Sequence, residues 1–137
     1  MKLFNSKKAG VRIGAMWCLA GGTPEQIKME VLRAALQDQS YRVRHDAVTH
    51  IMILRCRELV PQLAAAIDVE SYEDVRDWMS IGKDLLTDGY CLRTDVEGKQ
   101  TIHVLCRSGH VSTYLSKNKI KERGLPNIIE QWREFSG

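Results

Sequence analysis

The segment VRHDAV, Val43 to Val48, contains a Val-Arg pair that occurs three times at a fixed interval. The same two residues stand at Val11-Arg12 and at Val75-Arg76, so each copy lies 32 residues from the next (43 − 11 = 32 and 75 − 43 = 32). A constant period of this length is typical of chains that stack copies of one supersecondary unit. The repeat therefore predicts a repetitive architecture for the first part of the chain.

Each Val-Arg pair opens a segment that has the apolar spacing of an amphipathic helix. In the second copy Val43, Ala47 and Ile51 fall on one helical face. A further amphipathic segment precedes each of the two later pairs, at residues 23–38 and 56–68. Because a single helical hairpin cannot bury its apolar face alone, we expect these hairpins to stack on one another.

The repeat resembles a known family. LRAALQDQSYRVRHDAV, residues 32–48, is similar to the short HEAT repeat of the phycobilisome-lyase type, with two leucine positions, Asp38 ending the first helix and Val-Arg opening the second. LAAAIDVESYEDVRDWM, residues 63–79, is a weaker copy. The resemblance covers about residues 9–87. It implies a helical stack with an extended, slightly concave surface, and it says little about function.

The period stops after Leu86, and the remaining sequence has a different pattern. Residues 90–107 are typical of a β-hairpin in which Gly98 takes a positive φ, and residues 111–116 are a candidate third strand. Residues 125–135 have the apolar spacing of a final helix. We therefore predict one domain over residues 1–137, mainly α and α+β overall: HEAT-like repeats at 1–88 and a C-terminal hairpin-and-helix cap at 89–137.

The composition is that of an ordinary globular chain, with 44% hydrophobic and 27% charged residues. No apolar run approaches the roughly 20 residues of a membrane-spanning helix. The four cysteines show no CxxC spacing, which is typical of reduced thiols. These features predict a cytoplasmic protein with no membrane association.

Arg12, Arg44 and Arg76 form a repeated row of cations that could follow a phosphate backbone. In HEAT-like stacks, however, such an arginine commonly bonds to helix-end carbonyls or to an acid in a neighbouring turn. Asp38, five residues before Val43, is a suitable acid. We therefore favour a structural role for this row.

Cys91, His103, Cys106 and His110 are residue types that bind zinc, but their predicted placement is unsuitable. If the hairpin turns at Glu97-Gly98, Cys91 faces Val104 and shares a face with Cys106, while His103 points to the opposite face. Such a set cannot form a tetrahedron, so we expect no metal and no cofactor. A catalytic nucleophile and its base also need a third group that orients the base, and a pocket that holds the substrate. The sequence shows no such set, so we expect no enzymatic activity.

The strongest functional signal is acidic. Residues 66–88 contain seven acids against Arg76 and Lys83, whereas the positive surplus lies in residues 90–137. A helix dipole explains acids at a helix start, but the excess also reaches the far end of that helix. We expect an acidic ridge that attracts a basic protein. Its predicted members are Asp68, Glu70, Glu73, Asp74, Asp77 and Asp84.

These observations favour a non-enzymatic protein–protein interaction module. Its size and acidic ridge suit a small inhibitor or adaptor, such as a bacterial immunity protein that neutralises a basic toxin. One alternative is nucleic-acid binding. Its footprint would comprise Lys117, Lys119, Lys121 and Arg123 together with Arg42, Arg44, Arg55 and Arg57. A second alternative, a bilin-lyase-type accessory protein, is implied by the repeat resemblance alone.

Overall fold

The computed structural model describes residues 2–19, 23–106 and 109–136. Short 3-10 turns at Lys2–Asn5 and Arg57–Leu59 accompany the regular elements. The helices are α1 (Ala9–Trp17), α2 (Glu25–Ala35), α3 (Tyr41–Ile53), α4 (Val60–Val69), α5 (Glu73–Asp88), α6 (Lys117–Arg123) and α7 (Leu125–Ser136), and the strands are β1 (Tyr90–Thr94), β2 (Gln100–Cys106) and β3 (Gly109–Leu115).

This element order confirms the predicted fold class, mainly α with a small sheet and a terminal helix near the C-terminus. Among the described residues, none of the helices combines the length and the apolar character needed to cross a bilayer. The chain divides into two compact units, Met1–Lys83 and Asp84–Gly137. The division falls within α5, slightly before residue 88, where we predicted that the repeats end.

The first unit is helical, and its core follows the predicted apolar faces. Val43, Ala47 and Ile51 on α3 are all buried, as the helical spacing predicted. The helix α5 approaches α3 closely at Gly82, where an added Cβ would lie 3.0 Å from Cγ1 of the buried Val48. A glycine at this position therefore permits the close packing of the two helices.

Partly buried ion pairs connect helices to turns within the first unit. Arg12 on α1 donates Nε and Nη2 to the two carboxylate oxygens of Asp38, both at 2.8 Å. Its Nη1 donates to the backbone carbonyl of Ser6 at 2.7 Å. Asp38 also accepts the backbone N–H of Ser40 at 2.8 Å. We call this set of bonds the first rung.

The second rung repeats the first at an interval of 32 residues. Arg44 donates Nε and Nη2 to Glu70 at 2.7 and 2.9 Å, and Nη1 to the carbonyl of Asp38 at 2.7 Å. Glu70 also accepts the backbone N–H of Tyr72 at 3.2 Å. The structural role expected for the arginine row thus holds for Arg12 and Arg44. Arg76 is exposed, and the residue 26 positions after it is Ile102 rather than an acid.

The rungs lower the pKa of both carboxylates. Hydrogen bonds from Arg44 hold the pKa of Glu70 below its ordinary 4.5, against the effect of burial. Burial would raise the pKa of Asp38, but hydrogen bonds from Arg12 and from the Ser40 N–H outweigh it and leave that pKa below 3.8. A carboxylate with a lowered pKa stabilises the fold above its unfolded-state pKa. That stabilisation is lost as the pH falls through the folded-state pKa.

We expect Glu70→Gln to lower the free energy of unfolding by roughly 2 kcal/mol at neutral pH, because Arg44 then faces a neutral acceptor in a buried site. The exposed Asp68, near the end of α4, offers a matched control in Asp68→Asn, which should have little effect. Urea denaturation at about pH 7 and about pH 3 measures both variants. The loss in free energy of unfolding caused by Glu70→Gln should be smaller at the acidic pH. An equal loss at both pH values would contradict this account.

The second unit contains an antiparallel sheet of order β1-β2-β3. One face of the sheet packs against α7 around a core of Ile102, Val104, Leu115 and Ile128. Ser116 caps α6 by accepting the N–H of Lys119 at 3.1 Å. The predicted third strand and final helix are both confirmed as β3 and α7.

The predicted register of the first hairpin is wrong by one residue. Cys91 pairs with His103, and Tyr90 pairs with Val104. The reason is a three-residue loop, closed by the N–H of Asp95 donating to the carbonyl of Lys99 at 2.9 Å. The Asp95 carboxylate also accepts two backbone N–H groups of this loop. Gly98 has the expected positive φ, 82°.

Candidate binding site

A cleft of about 650 Å³ opens in the first unit between α1, α3 and the start of α5. We call it the aromatic cleft, because two tyrosines line it. The side chains that decide its chemistry are Tyr41, Arg42, Asp46, Tyr72, Glu73 and Asp74. Concave sites of this kind, with aromatic walls and a few polar groups, are common ligand and peptide sites.

Tyr41 and Tyr72 form the aromatic wall. Their ring centroids lie 4.6 Å apart with an interplanar angle of 23°, which is a stacked arrangement. Both side chains are nevertheless exposed, Tyr41 by 45% and Tyr72 by 51%. The pair therefore presents a flat aromatic surface to solvent.

The second rung positions Tyr72. Its backbone N–H is held by the Glu70 carboxylate, and Cζ of Arg44 lies 5.9 Å from the centroid of its ring. Tyr41 is the first residue of α3, directly after the Ser40 whose N–H is held by Asp38. The two rings thus begin from turns that are each fixed by a carboxylate, which is buried in Glu70 and half-buried in Asp38.

Charged groups surround the stacked rings. Asp46, Glu73 and Asp74 bring three carboxylates to the cleft, against the one guanidinium of Arg42. Glu73 and Asp74 lie in the first turn of α5, where the helix dipole favours negative charge. The lining therefore has an excess of negative charge.

Further aromatic contacts lie along α3. His45, which also lines the cleft, stacks on Trp78 at 5.6 Å, and the indole Nε1 of Trp78 donates to Oγ1 of Thr49 at 3.0 Å. Further along α3, His50 meets Trp17 edge to face, with ring centroids 4.5 Å apart. His50 is buried, whereas Trp17 is 60% exposed and lies outside the cleft.

The predicted acidic ridge is only partly present. Asp68, Glu73, Asp74 and Asp77 are exposed, and two of them line the cleft. Glu70 is not available to a partner, because it is 6% exposed and holds Arg44. Asp84 belongs to the second unit and pairs with Arg93 at 3.0 Å. The assignment of Glu70 to the ridge is therefore wrong, whereas that of Asp84, whose side chain is 33% exposed, stays a prediction.

Sequence reasoning missed Tyr41 and Tyr72. A signal was present, since the dipeptide Ser-Tyr occurs at Ser40-Tyr41 and again at Ser71-Tyr72, in the turn before each later Val-Arg pair. The two copies are 31 residues apart rather than 32 (71 − 40 = 31), so they do not align with the Val-Arg period. Their exposure and mutual stacking depend on tertiary structure.

The residues of the basic alternative footprint belong to both units of the chain. Lys117, Lys119, Lys121 and Arg123 are all exposed on α6, in the second unit. Arg55 and Arg57 are exposed in the first unit. Arg42 lines the cleft together with its acids. Arg44 is paired with Glu70, so Arg44 cannot serve as a phosphate contact.

The candidate zinc ligands lie on two faces of the sheet. In the observed register Cys91, His103 and His110 share one face, and Cys106 points to the other. The Cys91 thiol donates to Asp84 at 3.8 Å, and burial raises its pKa to about 11. Within the described residues, no three His, Cys, Asp or Glu side chains converge to hold a metal ion.

His103 and His110 instead bind each other. Nδ1 of His103 lies 2.8 Å from Nε2 of His110, and the rings are stacked with centroids 5.1 Å apart. One nitrogen must donate and the other accept, so at least one of the two rings is neutral. Burial, together with repulsion from His110 and Arg93, lowers the pKa of His103 to about 4.

Comparisons of the chain with protein-family profiles, with curated proteins and with solved structures gave no match.

We expect the ring of His103 to titrate near pH 4 and to stay neutral at about pH 5.5. The unfolded chain binds this proton near pH 6.5, so acidification between these values destabilises the fold. An NMR titration of the imidazole resonances measures the pKa directly. His110→Asn removes the second positive charge and should raise the pKa of His103. A pKa near 6.5 for His103 in the wild type would contradict the described contact between His103 and His110.

Proposed function

We propose that this protein is an interaction module that binds a basic segment of another protein through the aromatic cleft. The observation that carries the proposal is the exposed Tyr41–Tyr72 stack, which lies beside three carboxylates in a concave site. A small inhibitor or adaptor, such as an immunity-type protein, is the biological role that fits this activity.

The aromatic part of the cleft suits protein binding. Tyrosine rings supply large, rigid contact area at a low cost in side-chain entropy, and they are enriched at energetically important interface positions. Tyr41 and Tyr72 are already held by each other and by the rungs, so a partner would not have to order them. Preorganisation of this kind increases affinity.

The charge of the cleft selects the partner. Asp46, Glu73 and Asp74 outnumber Arg42, and Asp77 adds an exposed carboxylate one turn further along α5. A surface with this charge attracts cations and raises the rate of their association. It repels a phosphate backbone, which argues against nucleic acid at this cleft.

The two rungs also support the proposal that the first unit consists of HEAT-like repeats. Their bonds recur at the 32-residue interval of the Val-Arg pairs, from Arg12–Asp38 to Arg44–Glu70. Stacked helical repeats use extended surfaces to bind other proteins. A protein-binding role is therefore the activity to expect from such a unit.

We expect Glu73→Gln/Asp74→Asn to weaken capture of a basic partner from native lysate by about tenfold, because two attractive charges leave the cleft. Glu30→Gln/Glu58→Gln is the matched control, since it removes two exposed carboxylates outside the cleft. Affinity capture at low and high salt, with quantitative mass spectrometry of the bound proteins, compares both variants with the wild type.

The wild type and the control should retain the same basic protein at low salt and lose it at high salt. The cleft variant should bind it weakly, with less dependence on salt. Equal capture by both variants would contradict the proposal. Recovery of nuclease-sensitive nucleic acid would also contradict it and would direct attention to the cations of α6.

A further inference from the structure

We propose that the aromatic cleft recognises an arginine side chain of the partner, whose guanidinium stacks on Tyr41 and pairs with the carboxylates of the cleft. This inference rests on the proposed function and specifies the chemistry by which the same cleft selects its partner.

The chain contains an internal example of the arrangement. Arg44 forms a bidentate pair with Glu70 at 2.7 and 2.9 Å while its Cζ lies 5.9 Å from the ring of Tyr72. One guanidinium thus contacts a carboxylate and an aromatic ring at the same time. Arginine does this better than lysine, because its planar group forms two parallel hydrogen bonds and also stacks.

Tyr41 shares the aromatic cleft with carboxylates, but no guanidinium within the described part of the chain stacks on its ring. Tyr41 stacks on Tyr72 and is 45% exposed, so part of its ring surface is open to a second planar group. Asp46 lies on α3 five residues after Tyr41 and lines the same cleft, and Glu73 and Asp74 follow Tyr72 directly. An incoming guanidinium can therefore stack and pair within one site.

The geometry of the tyrosines also excludes a different mode of cation binding. A cage for an alkylammonium group needs rings that enclose the cation from several sides. Tyr41 and Tyr72 are close to parallel, and 4.6 Å between their centroids leaves no space for a group between them. Only the outer surface of the pair is available, which suits a flat guanidinium.

The test uses two labelled peptides of equal charge, hexa-arginine and hexa-lysine, with binding to the full chain followed by fluorescence anisotropy. We expect the wild type to bind hexa-arginine about threefold more tightly than hexa-lysine. Tyr41→Ala should remove this preference, mainly by weakening hexa-arginine, and Tyr41→Phe should retain it. Tyr114→Ala is the control, since it removes an equally exposed tyrosine, 53%, in the second unit.

The outcomes separate this inference from the proposed function. Suppose that Glu73→Gln/Asp74→Asn weakens the binding of both peptides while Tyr41→Ala changes the binding of neither. The basic-partner function then stands, and arginine recognition is overturned. If Glu73→Gln/Asp74→Asn changes neither peptide, the function proposed for the cleft fails as well. Equal loss of both peptides in Tyr41→Ala would also overturn arginine selectivity, once circular dichroism shows that the variant is folded.

Discussion

Arg44 and Glu70 place a guanidinium and a carboxylate where little water reaches them, and neither charge can be left without the other. The pair joins α3 to the turn before α5, and its remaining hydrogen bonds reach the carbonyl of Asp38 and the N–H of Tyr72. One interaction thus connects three segments of the first unit. The equivalent bonds of Arg12 and Asp38 connect α1 to the turn before α3 in the same way.

The same interaction relates the fold to the surface. Apolar burial on α3 determines which face of the helix is inside, while the buried pairs determine the position of the turns. Tyr72 lies in the turn that Glu70 fixes, and Tyr41 directly follows the turn that Asp38 fixes. The stacking of the two rings therefore depends on the hydrogen bonds of these carboxylates. A site of this kind is preorganised without being part of the hydrophobic core.

Much of the fold could be predicted from local sequence pattern, because the Val-Arg period and the apolar spacing of α3 and α7 directly indicate helices. It was insufficient for the site. Glu70 and Glu73 are three residues apart in one acidic stretch, yet the first is buried against Arg44 and the second is exposed in the cleft. Only the tertiary position of Arg44 distinguishes them. The register error near Cys91 has a similar origin in the side-chain hydrogen bonds of Asp95.

The central claim is that the aromatic cleft is the binding surface, and an NMR titration of the isotopically labelled chain with a basic peptide tests it most directly. The account predicts that the largest chemical-shift changes occur at Tyr41, Asp46, Tyr72 and the first turn of α5. Changes spread evenly over both units, or concentrated on α6, would contradict it.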